Sequence, residues 1–169
     1  MNYQHLDVTN LLNDAKFSDN GGCGYVLKPD FMRRPDPDYS PLIIPNSISI
    51  RPKSLEITII SGQHIPRPGG GTEGSVIKPF VRVKINGHPA GNENNQNDCN
   101  TDYVEKNGFN PFWNKSFQLS VKVPELAFLE LSVKDKRSLT KIGEKMGKDV
   151  TIGTFVCPFN MLCQGISYK

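Results

Sequence analysis

The sequence predicts an all-β protein in which two antiparallel sheets pack face to face. After position 53, four short runs alternate apolar with polar residues, which is typical of strands that bury one face. The 15 glycines and 13 prolines gather in clusters around those runs, and no stretch has the apolar spacing of a long amphipathic helix. Two packed sheets are the simplest arrangement that buries the apolar face of every such strand.

The first block of the chain, residues 1–34, comes before this strand pattern. Residues 8–16 are suited to a short helix, and Gly24–Phe31 is predicted to be an extended segment halted by Pro29. Residues 35–53 are rich in proline, which fits neither a helix interior nor a central strand, so we expect a linker or wrapping segment there. Its prolines are Pro35, Pro37, Pro41, Pro45 and Pro52.

Each predicted strand is defined by apolar residues at every second position. These residues are Leu55, Ile57 and Ile59; Val81, Val83 and Ile85; Phe117, Leu119 and Val121; and Leu129, Leu131 and Val133. The segments between the strands include residues 69–71, 92–97 and 110–111, whose glycine, asparagine and proline favour turns. We therefore expect half-buried strands joined by loops.

Composition limits the classes of function. A formal net charge of +3 on 169 residues does not indicate a nucleic-acid partner. The N-terminus lacks a basic segment followed by an apolar run, and no stretch approaches the length of a membrane span, so we expect a cytoplasmic protein. The four cysteines lack the spacing of metal ligands and are expected to be thiols, with Cys157 buried by packing.

Three strings of residues resemble one family, and they occur in the same order. They are GGCGYVLKPDF at residues 21–31, LEITIISGQ at residues 55–63 and NGFNPFW at residues 107–113. Together they resemble the phosphoinositide-specific phospholipases C at the place where the catalytic barrel ends and the C2 domain begins. The resemblance implies that residues 1–34 are a remnant of the end of the Y half of the barrel, residues 35–53 a linker, and residues 54–169 a C2 domain.

The resemblance also predicts an incomplete molecule. In the family, the C2 domain continues beyond the position matched by Gly165, so we expect a truncated sandwich and marginal stability. The family hydrolyses phosphatidylinositol 4,5-bisphosphate to diacylglycerol and inositol trisphosphate in signalling. Its catalytic histidines and the acidic ligands of its catalytic calcium match no position of this chain. The resemblance therefore implies no catalytic residue and no cofactor on this chain.

The family's C2 domain often binds calcium at the tips of three loops. In the first and second loops, the resemblance places Lys78 and Lys106 where the family has an aspartate and an asparagine. The third-loop pair falls on Asp135 and Arg137, so only Asp135 remains a possible metal ligand. Because basic side chains repel a divalent cation, no calcium site is expected.

The same basic residues suggest a surface for anionic phospholipid. The candidates near the loop tips are Lys78, Lys106, Lys134, Lys136 and Arg137, with Lys141 nearby in sequence. Each basic group near an anionic leaflet contributes about 1 kcal/mol, so several of them favour weak binding without calcium. In the alternative, Asp135 pairs with Lys78 or Arg137 and the tip has lost its function. Arg82 and Lys84 are a candidate patch for lipid headgroups on a strand face, or simply a solvated face.

The predicted function is that of a C-terminal fragment of a phosphoinositide phospholipase C. It would contribute membrane docking and contacts with the rest of the catalytic barrel, at the periphery of a membrane, with no nucleic-acid partner. One alternative is a calcium-independent C2 adaptor that binds anionic lipid or protein. Another is a non-functional truncated product.

Overall fold

The computed structural model describes residues 8–33, 50–68, 77–88, 97–136 and 149–168. The predicted positions Arg137 and Lys141, and most of the proline-rich segment, lie outside these ranges. No helix within the described ranges is both long enough and apolar enough to cross a lipid bilayer.

The helices are short and lie mainly in the N-terminal block. Helix α1 spans Val8–Ser18, which confirms the helix predicted over residues 8–16 and extends it by two residues. The chain leaves α1 through Gly21 and Gly22, whose positive φ angles of 73° and 80° suit glycine. Helix α2 spans Asp30–Arg33, so the predicted extension to Phe31 is wrong at its last two residues. Two 3₁₀ turns span Pro124–Leu126 and Phe159–Met161.

In the part of the chain that the structure describes, six strands form two antiparallel sheets, which confirms the predicted sandwich. The strands are β1 (Lys53–Ser61), β2 (Pro79–Asn86), β3 (Asp98–Asn100), β4 (Phe112–Val121), β5 (Phe128–Asp135) and β6 (Val150–Pro158). In the described residues, β1 pairs with β4 in one sheet, and the other sheet has the order β3-β2-β5-β6. The alternation of apolar and polar residues correctly predicted strands β1, β2, β4 and β5.

The core lies between the apolar faces of these sheets. Val83 of β2 is fully buried and stands opposite Leu131 of β5, while Leu119 of β4 is 1% exposed and stands opposite Leu55 of β1. All four of these residues belong to one contiguous apolar cluster. Burial of such side chains, each contributing about 1.5–3 kcal/mol, is the principal force that holds the two sheets together.

The two sheets differ in size within the described part of the chain. The sheet of β1 and β4 has two strands, whereas the other has four. Phe155 of β6 stands opposite Leu131 and therefore shares its inward-facing side, yet it is 60% exposed. The smaller sheet thus does not cover the whole inner face of the larger one.

A side-chain amide also links the two sheets. Asn97, which directly precedes β3, is 8% exposed. Its Nδ2 donates to the carbonyl of Ser120 at 2.8 Å, and its Oδ1 accepts from the Ser120 N–H at 3.1 Å. Ser120 lies on β4, so this pair of hydrogen bonds joins the edge of one sheet to the edge of the other.

Candidate functional site

The strands bring several separate segments together at one end of the sandwich. Strands β1 and β5 finish there, and β2, β4 and β6 begin there. We call this the loop end; its described residues are 62–68, 77–79, 101–112, 135–136 and 149–150. Of the predicted site residues, Lys78, Lys106, Asp135 and Lys136 lie at this end.

Lys78 joins two loops and a strand terminus. Its backbone N–H donates to Oδ1 of Asp135 at 2.9 Å, and its carbonyl accepts from the N–H of Lys136 at 3.0 Å. Its ammonium contacts Oε1 of Glu105 at 2.9 Å and lies 5.7 Å from the centre of the Tyr103 ring. The hydrogen bond to Glu105 raises the pKa of Lys78. A cationic side chain therefore holds together loops that are far apart in sequence.

Lys136 makes a second tether of the same kind. Its ammonium lies 3.3 Å from Oδ2 of Asp149, across the segment between β5 and β6. It also lies 6.0 Å from the centre of the Phe80 ring, within the range of a cation–π contact. The charges of Lys78 and Lys136 are thus already opposed by carboxylates of the same chain.

Lys106 differs from these two lysines. It is exposed and has a positive φ angle of 52°, which directs the chain into the following turn. Within the described ranges, no carboxylate lies within ion-pairing distance of its ammonium. Of the lysines described at the loop end, Lys106 is therefore the one best placed to interact with an external anion.

The carboxylates at this end do not have the arrangement that calcium requires. Calcium takes six to eight oxygen ligands, usually with several carboxylates among them. Here Asp135 accepts the Lys78 N–H, while Glu105 and Asp149 each face a lysine ammonium. The part of the chain that the structure describes contains no group of three or more His, Cys, Asp or Glu residues suited to a metal ion. Among the described residues, the oxygen donors at the loop end therefore do not fit calcium.

The remaining predicted basic residues within the described ranges lie along the outer side of the larger sheet. Arg82 of β2 donates through both Nε and Nη2 to the carboxylate of Asp98 on β3, with Nε 2.6 Å from Oδ1. This contact lowers the pKa of Asp98 and raises that of Arg82. Lys84 stands opposite Glu130, and Lys134 stands one residue before the end of β5. The structure thus separates this strand-face group from the loop-end lysines.

Exposed aromatic residues at the loop end were missed by sequence reasoning, which used residues 107–113 only as a family marker. Phe109 is 66% exposed and Phe112 is 64% exposed. Both follow Lys106 closely in a segment of glycine, asparagine and proline that has no alternating strand pattern. The available signal was a large apolar residue, Phe109, in that turn, because a turn offers it little core to enter, whereas Phe112 begins β4.

Helix α1 connects the N-terminal block to the sandwich. Its main contact is with β6, and its Asn13 and Ala15 are 8% and 5% exposed. At the end of α1, Oγ of Ser18 lies 3.6 Å from Sδ of Met161, in the turn that follows β6. The N-terminal block is therefore packed against the last described strand.

Comparison with known families agrees with this architecture. The model of the C2 domain family matches residues 53–169. The chain belongs to the C2 domain family. A second family model, "Phosphatidylinositol-specific phospholipase C, Y domain", matches residues 1–31, just before the C2 domain. Helix α1 lies in this Y-domain match, and β6 lies in the C2 domain.

Individual relatives extend the similarity over both matched regions. "1-Phosphatidylinositol 4,5-bisphosphate phosphodiesterase delta-4" of Xenopus laevis is 35% identical over 98% of this chain, which spans 20% of that relative. "Inactive phospholipase C-like protein 2" of Homo sapiens is 36% identical over 98% of this chain, which spans 14% of it. The crystal structure of S. officinalis PLC21 superposes with a TM-score of 0.69 at 28% identity, covering 95% of this chain and 18% of that one. These matches confirm the predicted homology to the C-terminal, C2-containing region of phosphoinositide phospholipases C.

Proposed function

We propose that this chain acts as the C2-containing part of a phosphoinositide phospholipase C and that it is not catalytic by itself. In this role it holds the end of the barrel against the sandwich and docks the enzyme on anionic phospholipid. The reaction of the assembled enzyme is hydrolysis of phosphatidylinositol 4,5-bisphosphate to diacylglycerol and inositol trisphosphate. The proposed location is cytoplasmic, at the periphery of the membrane.

The observation that carries this proposal is the packing of α1 on β6. The helix comes from the segment that matches the Y domain, and the strand comes from the C2 domain. Ala15 is buried in the helix that makes this contact, so a larger or charged side chain there has no space. Such packing supports a fixed connection between barrel and sandwich, as docking of a catalytic barrel by its C2 domain requires.

The lysine tethers support docking that does not depend on calcium. Lys78 and Lys136 join segments at the loop end that a metal ion would otherwise have to hold together. Lys106, exposed and with no carboxylate within ion-pairing distance in the described ranges, supplies charge for anionic headgroups. No metal is needed in this arrangement.

A second candidate is a calcium-independent adaptor outside any active enzyme. This candidate is favoured by "Inactive phospholipase C-like protein 2", whose name describes an inactive protein. Its sequence identity to this chain is 36%, against 35% for the Xenopus laevis phosphodiesterase. The same C2 domain thus fits a catalytic and a non-catalytic parent. Activity of an assembled enzyme decides between them.

The decisive experiment is a chimera. The matching region of the Xenopus laevis delta-4 phosphodiesterase is replaced by this chain, and inositol trisphosphate release is measured on mixed vesicles. We expect activity close to that of the parent enzyme. Ala15→Glu should lower it at least tenfold by separating α1 from β6, whereas Asp14→Glu, which puts the same side chain on an exposed neighbour, should not. Loss of activity in the unmodified chimera would contradict the enzymatic role and favour the adaptor.

Membrane docking is tested separately by vesicle sedimentation of the full 169-residue chain. Binding to phosphatidylserine vesicles should be the same in calcium and in a chelator, and it should weaken as salt rises. Lys106→Glu should weaken binding about thirtyfold, since a charge reversal changes about 2 kcal/mol of attraction. Lys122→Glu, which reverses an exposed lysine just beyond the opposite end of β4, is the matched control. Calcium-stimulated binding that Asp135→Asn abolishes would show that a metal site exists and would refute the proposal.

A further inference from the structure

Two phenyl rings project from the loop end without burial by the described residues. Phe109 and Phe112 expose 66% and 64% of their surface, although most phenylalanines in a folded domain are largely buried. They are three positions apart, on either side of Pro111, which is itself fully buried. The chain therefore anchors this segment through the proline and leaves the rings outside.

The backbone that carries the rings is fixed by an extension of the β1–β4 ladder. The N–H of Gly62 donates to the carbonyl of Pro111 at 2.9 Å, and the N–H groups of His64 and Ile65 donate to the carbonyls of Phe109 and Gly108, both at 2.8 Å. These three hydrogen bonds continue the pairing of the two strands beyond Ser61. The rings are thus displayed on an ordered support.

Side chains strengthen the same support. Oδ1 of Asn107 accepts from the N–H of Asn110 at 3.0 Å, closing the turn that carries Phe109. The imidazole of His64 meets the Phe109 ring edge to face, with the ring centres 4.5 Å apart. Gly108 lies directly against buried Ile77. Because the segment is ordered in advance, a partner does not have to order it on binding.

The charges around the rings favour a lipid surface as the partner. Of the carboxylates described at the loop end, Glu105 and Asp149 are opposed by Lys78 and Lys136, and Asp135 accepts the N–H of Lys78. The exposed Asp102 is the one that no lysine opposes. Lys106 lies three residues before Phe109. A lysine beside exposed aromatic rings is complementary to a bilayer, whose phosphates attract the ammonium while its acyl boundary accepts the rings.

We propose that Phe109 and Phe112 enter the interfacial region of an anionic bilayer as paired apolar anchors, with Lys106 contacting the phosphates. This inference rests on the proposed membrane docking and adds the residues that make the apolar contact. Binding then has two components. The lysine component weakens with salt, whereas the aromatic component persists because burial of apolar surface is not screened by ions.

The first test measures partitioning of the full chain onto phosphatidylcholine vesicles containing about one third phosphatidylserine. Phe109→Ala and Phe112→Ala should each lower the partition coefficient about tenfold, and the loss should remain at high salt. Tyr25→Ala removes another exposed aromatic ring, 87% exposed and outside the loop end, and should have no effect. Circular dichroism establishes that each variant is folded.

The second test locates the rings directly. The fluorescence of the tryptophan introduced by Phe109→Trp or Phe112→Trp should be quenched by brominated lipid, whereas that introduced by Tyr25→Trp should not be quenched. Trp113 is the single native tryptophan, so its signal is measured first and subtracted. If the chain binds vesicles but alanine at both positions changes nothing and neither tryptophan is quenched, the anchor inference is wrong and membrane docking stands. If the unmodified chain does not bind vesicles, the membrane-docking proposal and the anchor inference are both wrong, and the rings belong to a protein contact.

Discussion

Gly108 is the position where the smallest change should have a large and specific effect. A methyl group added at Gly108 would lie 2.5 Å from Cδ1 and 2.7 Å from Cγ1 of Ile77, and 3.3 Å from the carbonyl oxygen of Ile65. Ile77 is only 5% exposed, so its side chain has little room to move away. Gly108→Ala should therefore force the turn of Phe109 away from the sandwich.

The size of the effect follows from the contacts. Inserting one carbon into a packed site costs about 1–3 kcal/mol. For a chain of this length, a loss of about 2 kcal/mol lowers the melting temperature by about 4–8 °C. Ile77→Val removes the Cδ1 atom, so the double variant should recover part of the loss, giving a coupling of about 0.5 kcal/mol or more.

Urea unfolding followed by the fluorescence of Trp113 measures these differences. Trp113 is half-buried and packs against the core, so its emission should change on unfolding. Gly153→Ala is the matched control, because an added methyl group there meets nothing within 4 Å; it should be neutral or slightly stabilising. A Gly108→Ala variant as stable as the unmodified chain, or a strictly additive double variant, would show that the turn is not packed as described.

Three further outcomes follow from the structure. Because Arg82 lowers the pKa of Asp98, this carboxylate stabilises the fold at pH values above its ordinary pKa. The free energy of unfolding should fall by about 1 kcal/mol as the pH drops through the lowered pKa. If urea unfolding of Asp98→Asn depends on acid in the same way as that of the unmodified chain, this prediction is contradicted. Burial raises the pKa of Cys157, so iodoacetamide should label it more slowly than exposed Cys163, as mass spectrometry can measure; equal rates would refute the difference. The isolated chain should release no inositol trisphosphate above a heat-killed control, and any release above it would show catalysis.

The sequence predicted the strands that bury one regular face and was weaker elsewhere. Strands β1, β2, β4 and β5 were recognised because each has three alternating apolar residues on the inner side. Strand β6 was not recognised, because Gly153 interrupts the row of apolar residues on its inner face. Gly153 lies where the pairing of β6 with β5 shifts in register. Its neighbour α1 was predicted as a helix, but the contact between them joins residues about 140 positions apart, which no local pattern reveals.

The same limit applies to the candidate site. The resemblance assigned Lys78 and Lys106 to loops, and in the structure both residues lie at the loop end. It did not show that Lys78 contacts Glu105, a partner 27 residues away whose position depends on the folded loop. The exposure of Phe109 also depends on tertiary structure, because the turn that carries it is held by hydrogen bonds to a different loop.

The two hydrogen bonds between the Asn97 side chain and the Ser120 backbone affect how the molecule resists aggregation. Both backbone groups of Ser120 point away from β1, towards the side where an edge strand invites another chain to add. The Asn97 amide occupies both groups, as a neighbouring strand would, so a foreign strand cannot continue its ladder past this residue. One buried asparagine thereby protects the end of an edge to which the described residues add no further strand, and Asn97→Ala should expose this edge to intermolecular pairing.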